Sequence, residues 1–195
     1  EKHAVFYSGV PYFDRLYSPS NLENKNTVIY IESPCLEENQ LFGWTHKHHH
    51  KIAMALNDFS VENDLQLVIK LHPRSNKQLW NNYNFNYNHL KVVQEGDYTD
   101  LYKSTGLILG FPSSMLTGFI CAKKNVVILG WHPHQKIEGL DFSEFDICHR
   151  SVDINDLLTK YDFWINNNKC IHDTANYLKF VDDFNYPFDG KASER

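Results

Sequence analysis

The chain alternates short, nearly unbroken apolar runs with longer stretches in which apolar residues recur every three or four positions. Thr27–Ile31 (TVIYI), Gln66–Leu71 (QLVIKL), Leu90–Gln94 (LKVVQ), Gly106–Gly110 (GLILG) and Val126–Leu129 (VVIL) read as strands. Their near-continuous apolar character is that of parallel strands covered on both faces. Over about Thr45–Phe59, helical spacing sets Ile52, Ala53, Leu56 and Phe59 on one face. Further helices are predicted over Asp97–Ser104, Ser113–Lys123, Asp153–Asn166 and His172–Asp183, and the Asn/Tyr-rich run Asn81–His89 predicts a polar loop. Strands alternating with helices imply an α/β fold, a Rossmann-like parallel sheet flanked by helices. Ligands of such sheets sit outside the carboxyl ends of the strands. The residues that matter most are therefore Glu32–Pro34, His72–Arg74, Glu95–Asp97, Phe111–Ser114 and Trp131–His134.

Two of these loops carry anion chemistry. In Lys70-Leu71-His72-Pro73-Arg74, the proline stops the strand and leaves an imidazole and a guanidinium at the ligand edge. Both groups donate hydrogen bonds to phosphate. In Gly110-Phe111-Pro112-Ser113-Ser114, a strand turns through Gly and Pro into a helix that a serine opens. Unpaired N–H groups and the helix dipole favour an anion there, and two hydroxyls add donors. Taken blandly, the first is a strand-ending proline beside surface side chains and the second a serine N-cap. Neither GxGxxG nor GxxxxGK[ST] occurs, so the dinucleotide fingerprint and the P-loop are unsupported.

The His72-Pro73 pair followed by Ser113-Ser114 resembles the paired motifs of bacterial sialyltransferases and polysialyltransferases that use CMP-linked donors. It also resembles CDP-glycerol glycerophosphotransferases of teichoic-acid synthesis. Gly9-Val10-Pro11-Tyr12-Phe13-Asp14-Arg15-Leu16 resembles the GxPxxDxL segment joining the halves of such enzymes, and Asp189–Arg195 resembles their DGKASER run, shared with UDP-N-acetylglucosamine 2-epimerases. The resemblance implies one lobe of a GT-B fold. Residues 1–24 would be inter-domain linker and lead-in, 25–186 a nucleotide-sugar-binding domain, and 187–195 the start of a C-terminal helix. It further implies a glycosyltransferase half that builds a bacterial surface polysaccharide such as capsule or lipopolysaccharide. The donor would be CMP- or CDP-linked, and the acceptor glycan and catalytic base would belong to an absent N-terminal lobe. This chain would then bind donor and transfer nothing alone. His72 is the implied catalytic residue, and His72, Arg74, Ser113 and Ser114 the implied phosphate ligands. Pro73, Glu95, Gly96, Asp97, Gly110 and Pro112 would be secondary nucleotide contacts, and Trp131 and His132, which follow the fifth strand, would line the sugar side. No cofactor is implied, the nucleotide-sugar being a substrate, and no metal.

Each secondary candidate has a plainer alternative. Asp97 suits a helix N-cap, Trp131 a structural turn, and His46–His50 a solvated first helical turn rather than a zinc pair, since no acidic or Cys partner can be assigned by spacing. Trp80 and Trp164 read as packing. The formal net charge of -5 argues against a nucleic-acid backbone as main partner. Cys35, Cys121, Cys148 and Cys170 form no CxxC pair and read as free thiols of a reducing compartment. A cytoplasmic placement follows, with the inner membrane face as an alternative for the full-length protein. Two other functions compete. A UDP-sugar 2-epimerase fits the DGKASER ending, but that family carries a Gly-Gly and acidic run where this chain has Pro112-Ser113-Ser114. A non-catalytic nucleotide-binding module fits the fold equally.

Overall fold

The computed structural model describes residues 9–17, 24–34, 36, 43–131, 142–167, 174–185 and 187–195. Cys35, Cys170, His132 and His134 lie outside the described residues, as does much of the expected linker. Six strands form one sheet in the order β3-β2-β1-β4-β5-β6: β1 Asn24–Ile31, β2 Gln66–Lys70, β3 Leu90–Val93, β4 Thr105–Gly110, β5 Val126–Leu129 and β6 His149–Ser151. Every pairing is parallel. Register aligns the carboxyl ends, with Ile31 opposite both Lys70 and Gly110, and Lys70 opposite Val93. Chain order reverses across the sheet between β1 and β4, which opens a crevice at that edge.

Alternation along the strands divides the core between the two faces. Val28, Tyr30, Leu67, Ile69, Leu107 and Leu109 pack on one side, against α1 (His46–Glu62), α5 (Ile154–Thr159) and α6 (Tyr161–Asn166). Ile29, Ile31, Ile108, Val126 and Ile128 pack on the other, against α4 (Ser114–Cys121) and α7 (Ala175–Asn185). This is why the strands read as unbroken apolar runs: both parities are buried. Trp80 and Trp164 are core residues, as expected.

The structure corrects several boundaries. The helix expected over Asp153–Asn166 breaks at Lys160 into α5 and α6, and the last described helix runs over Ala175–Asn185. The short helix α3 covers Thr99–Ser104, so Asp97 lies before it. Tyr98 occupies the cap position, while Asp97 Oδ1 accepts from the Thr99 N–H at 2.9 Å. Strand β6 and helix α2 (Lys77–Asn81) were not foreseen, because His-Arg-Ser has no apolar run and α2 is a single turn. The His46–His50 turn is not uniformly solvated. His49 lies on the same helical face as Ile52 and Ala53, is buried, and bonds through Nδ1 to the Tyr83 hydroxyl at 2.7 Å. Among the described residues no three His, Cys, Asp or Glu side chains gather to hold a metal ion, and no helix is long and apolar enough to cross a membrane.

The first and last described segments close on each other. Asp14, in the 3-10 turn Pro11–Leu16, accepts from the Ala192 N–H (3.0 Å), the Ser193 N–H (2.7 Å) and the Ser193 hydroxyl (2.5 Å). The backbone at Gly9 has φ +75°, and a Cβ there would lie 2.7 Å from the Pro187 carbonyl oxygen, so only glycine permits this approach. Arg195 grips Asp189 with two N–H groups at 2.9 and 3.0 Å. The same 3-10 turn seats Phe13 against α4, where a Cβ on Gly118 would fall 2.5 Å from the Phe13 ring.

Candidate functional site

The carboxyl ends of β1, β2 and β4 surround a cavity of about 990 Å³. His72, Pro73, Arg74, Pro112, Ser113 and Ser114 all line it, so the two anion motifs share one space. Gly110 lies just behind the wall, where a Cβ would crowd the Ile31 carbonyl oxygen at 3.2 Å. Glu95, Gly96, Asp97 and Trp131 do not line the cavity. The Glu95 carbonyl accepts from the Tyr98 hydroxyl at 2.5 Å, and the Trp131 indole N–H is taken by the Ser151 hydroxyl at 2.9 Å.

At the serine turn, Ser113 is the N-cap of α4 with extended backbone (φ -156°, ψ 155°), yet its side chain makes no capping hydrogen bond. Its Oγ is buried and has no partner among the described residues. A buried hydroxyl without a partner costs free energy unless something else satisfies it. In the first turn of α4 the Leu116 N–H bonds the Ser113 carbonyl at 3.1 Å, while the N–H groups of Ser114 and Met115 precede the helical ladder.

The histidine loop is built differently. His72 Nδ1 accepts from the Arg74 N–H at 3.1 Å, which assigns the ring proton of the neutral tautomer to Nε2 and makes that atom a donor. Glu32, only 4% exposed, accepts from the His72 N–H at 3.0 Å and from the Ser75 hydroxyl. The Gln94 amide donates to the carbonyls of His72 (3.0 Å), Ser75 (2.8 Å) and Pro73 (3.3 Å). Lys70 also lines the cavity, with Nζ on the carbonyls of Leu71 and Gln94. Its loss of water holds the Lys70 ammonium below the usual lysine range, Glu32 pulls it back up, and Arg15 pushes it further down.

The sequence thus pointed to His72–Arg74 and Pro112–Ser114, which line the cavity; it set Glu32 at the ligand edge and Lys70 in the histidine motif without assigning either a holding role, and it passed over Ser75 and Gln94. A carboxylate directly after a buried strand was the available signal for Glu32; nothing local marks Gln94. Apolar and aromatic side chains, among them Tyr12, Phe13, Tyr102 and Met115, complete the wall. That combination of an apolar body with a few convergent donors suits a small anionic organic ligand. Cys121, which the sequence placed in the core, is a buried thiol pushed up to about 12 by burial and takes no part; Cys148 is buried too.

No protein-family model and no curated protein matches the chain. Solved structures do resemble it. The wall teichoic acid polymerase TagF (H548A) superposes with TM-score 0.58 at 14% identity, over 94% of this chain and 45% of its own. The spinosyn rhamnosyltransferase SpnG complexed with thymidine diphosphate gives TM-score 0.55 at 9% identity, over 83% and 42%. A putative UDP-N-acetylglucosamine 2-epimerase from Listeria monocytogenes gives TM-score 0.52 at 13% identity, over 96% and 50%. At these identities the likeness is one of fold, and the fold is one lobe of the GT-B type. The chain spans half or less of the length of each of these proteins.

Proposed function

We propose that this chain is the donor-binding half of a glycosyltransferase and holds the donor's phosphate between His72 and the Ser113 end of α4. The observation that carries this reading is the convergence of His72, Arg74, Ser113 and Ser114 on one cavity, with the buried Ser113 hydroxyl in its wall lacking a partner among the described residues. In transfer, negative charge grows on the leaving nucleotide phosphate. A neutral His72 Nε2–H, the Arg74 guanidinium, the Ser113 hydroxyl and the first N–H groups of α4 would stabilise that charge without a metal. His72 is the residue of this chain closest to a catalytic role. The base that activates the acceptor would lie on a second lobe. A CMP- or CDP-linked donor, a bacterial surface polymer as product and a cytoplasmic site of action are the finer parts of the same proposal, resting on the HP and SS motifs. Glu95, Gly96, Asp97 and Trp131 would contribute only through a rearrangement that brings them to the cavity.

Calorimetric titration with CMP, CDP, UDP and TDP tests the proposal. His72→Ala and Ser113→Ala should each weaken the best-bound nucleotide by roughly ten-fold or more, the worth of one hydrogen bond to a charged group. Their melting temperatures should stay near that of the parent chain. Equal affinity in parent and variants would overturn it.

The epimerase is the second reading, favoured by the fold likeness over nearly the whole chain. Tighter binding of UDP-N-acetylglucosamine than of CMP and CDP would select it.

A further inference from the structure

We infer that Glu32 and Gln94 are positioning residues that pre-form the His72–Ser75 loop for phosphate, an inference that rests on the donor-site reading above. The topology makes the arrangement possible. Strand β2 lies between β1 and β3, and register sets Ile31, Lys70 and Val93 level at the carboxyl edge. The next residue of β1 is Glu32 and the next of β3 is Gln94, so the two side chains flank the loop that leaves β2. Beyond Leu71 that loop has left the sheet ladder, and Pro73 brings no N–H of its own.

The flanking pair takes over the backbone. One Glu32 oxygen, Oε2, accepts from both the His72 N–H and the Ser75 hydroxyl. One Gln94 nitrogen, Nε2, shares its two hydrogens among three carbonyls of the loop, those of His72, Pro73 and Ser75. The loop adds its own bond from the Ser75 N–H to the His72 carbonyl at 3.0 Å. With both ends held, the Arg74 N–H meets His72 Nδ1, and this contact selects the tautomer that presents Nε2–H as a donor. Glu32 thus acts by accepting two hydrogen bonds, and a neutral acceptor of the same shape can replace it. A role as proton acceptor or as counter-charge to Lys70 would instead require the carboxylate.

The test compares Glu32→Ala, Glu32→Gln, Gln94→Ala and Ser113→Ala in the same chain. Two readouts are taken: CDP affinity by calorimetry, and the His72 tautomer by long-range proton–nitrogen NMR without ligand. Glu32→Ala and Gln94→Ala should weaken CDP about ten-fold and turn His72 from one tautomer into a mixture. Glu32→Gln should keep both readings close to the parent, because its amide oxygen accepts the same two bonds. A single unchanged His72 tautomer in Glu32→Ala and Gln94→Ala overturns the inference, whatever binds. A Glu32→Gln variant as damaged as Glu32→Ala also overturns it, pointing to the charge. Failure of the parent chain to bind CDP or any other nucleotide, with the tautomer shifting as expected, sinks the donor reading and leaves the loop assignment standing.

Discussion

Two of the loops that line the cavity are held in opposite ways. The His72–Ser75 loop is bound by side chains from both neighbouring strands, and its polar backbone is paired internally. Among the described residues the turn at Gly110–Ser114 has no such clamp. It is fixed by packing, through Leu116 and Phe119 of α4 and through Phe13 at Gly118, and its buried Ser113 hydroxyl has no partner among the described residues. One loop therefore holds its imidazole in a set orientation, and the other keeps a hydroxyl without a partner among the described residues. Pre-orientation lowers the ordering cost of binding, while unsatisfied donors raise the gain when an anion enters.

The largest expected effect breaks the packed side. Phe119 is fully buried and meets the Tyr102 ring edge-on, with centroids 5.2 Å apart. Phe119→Ala should cost about 3–5 kcal/mol and lower the melting temperature by roughly 10 °C in a thermal melt. A shift of a degree or two would show that α4 is not seated by this core.

The next is a pH effect on the side that supports the histidine loop. His49 packs edge-on against Trp80, with ring centroids 4.5 Å apart, and Trp80 belongs to α2, which follows that loop. Burial, aided by the neighbouring His46 and His50, lowers the His49 pKa from 6.5 to about 4. The unfolded chain takes up a proton there that the folded chain refuses. Stability should therefore fall as pH drops from about 6.5 toward 4, by roughly 3 kcal/mol at most. Chemical denaturation at pH 7.5 and 4.5 checks this, and His49→Leu should flatten the difference. Equal slopes in both proteins would exclude His49 as the source.

A smaller effect separates affinity from stability at the serine turn. Because Ser113 Oγ has no partner among the described residues, Ser113→Ala should leave stability within about 1 kcal/mol of the parent, or raise it, even as nucleotide binding weakens. A clear loss of stability would mean that the hydroxyl is a cap after all.

The smallest concerns the closure that seats Phe13. The slight burial of Asp14 raises its pKa, but the hydrogen bonds from Ser193 and Ala192, with Arg195, outweigh this and hold the carboxyl below its ordinary value. The contact is complete at neutral pH and is lost as pH falls through that lowered value. Asp14→Asn should reproduce the loss at pH 7, read as faster hydrogen exchange at Ala192 and Ser193. Unchanged exchange would leave the closure to the remaining contacts.

Local pattern was enough to determine the fold class and to single out residues that line the cavity. Unbroken apolar runs declare buried parallel strands, and His-Pro and Pro-Ser-Ser directly after two of them declare donors at the ligand edge. The rest depends on residues far apart in the chain. Asp14 meets Ser193 because the first and last described segments close on each other, and Glu32 and Gln94 meet at one loop because strand order sets β1 and β3 on either side of β2. Likewise, whether Ser113 caps its own helix or stays open is decided by the path of the turn rather than by the identity of the residue. Hydrophobic periodicity is a property of neighbours along the chain, whereas a hydrogen-bond partner is a property of neighbours in space, so the sequence determined the sheet and its candidate donors while the tertiary structure alone decided which of them are held and which are left for a ligand.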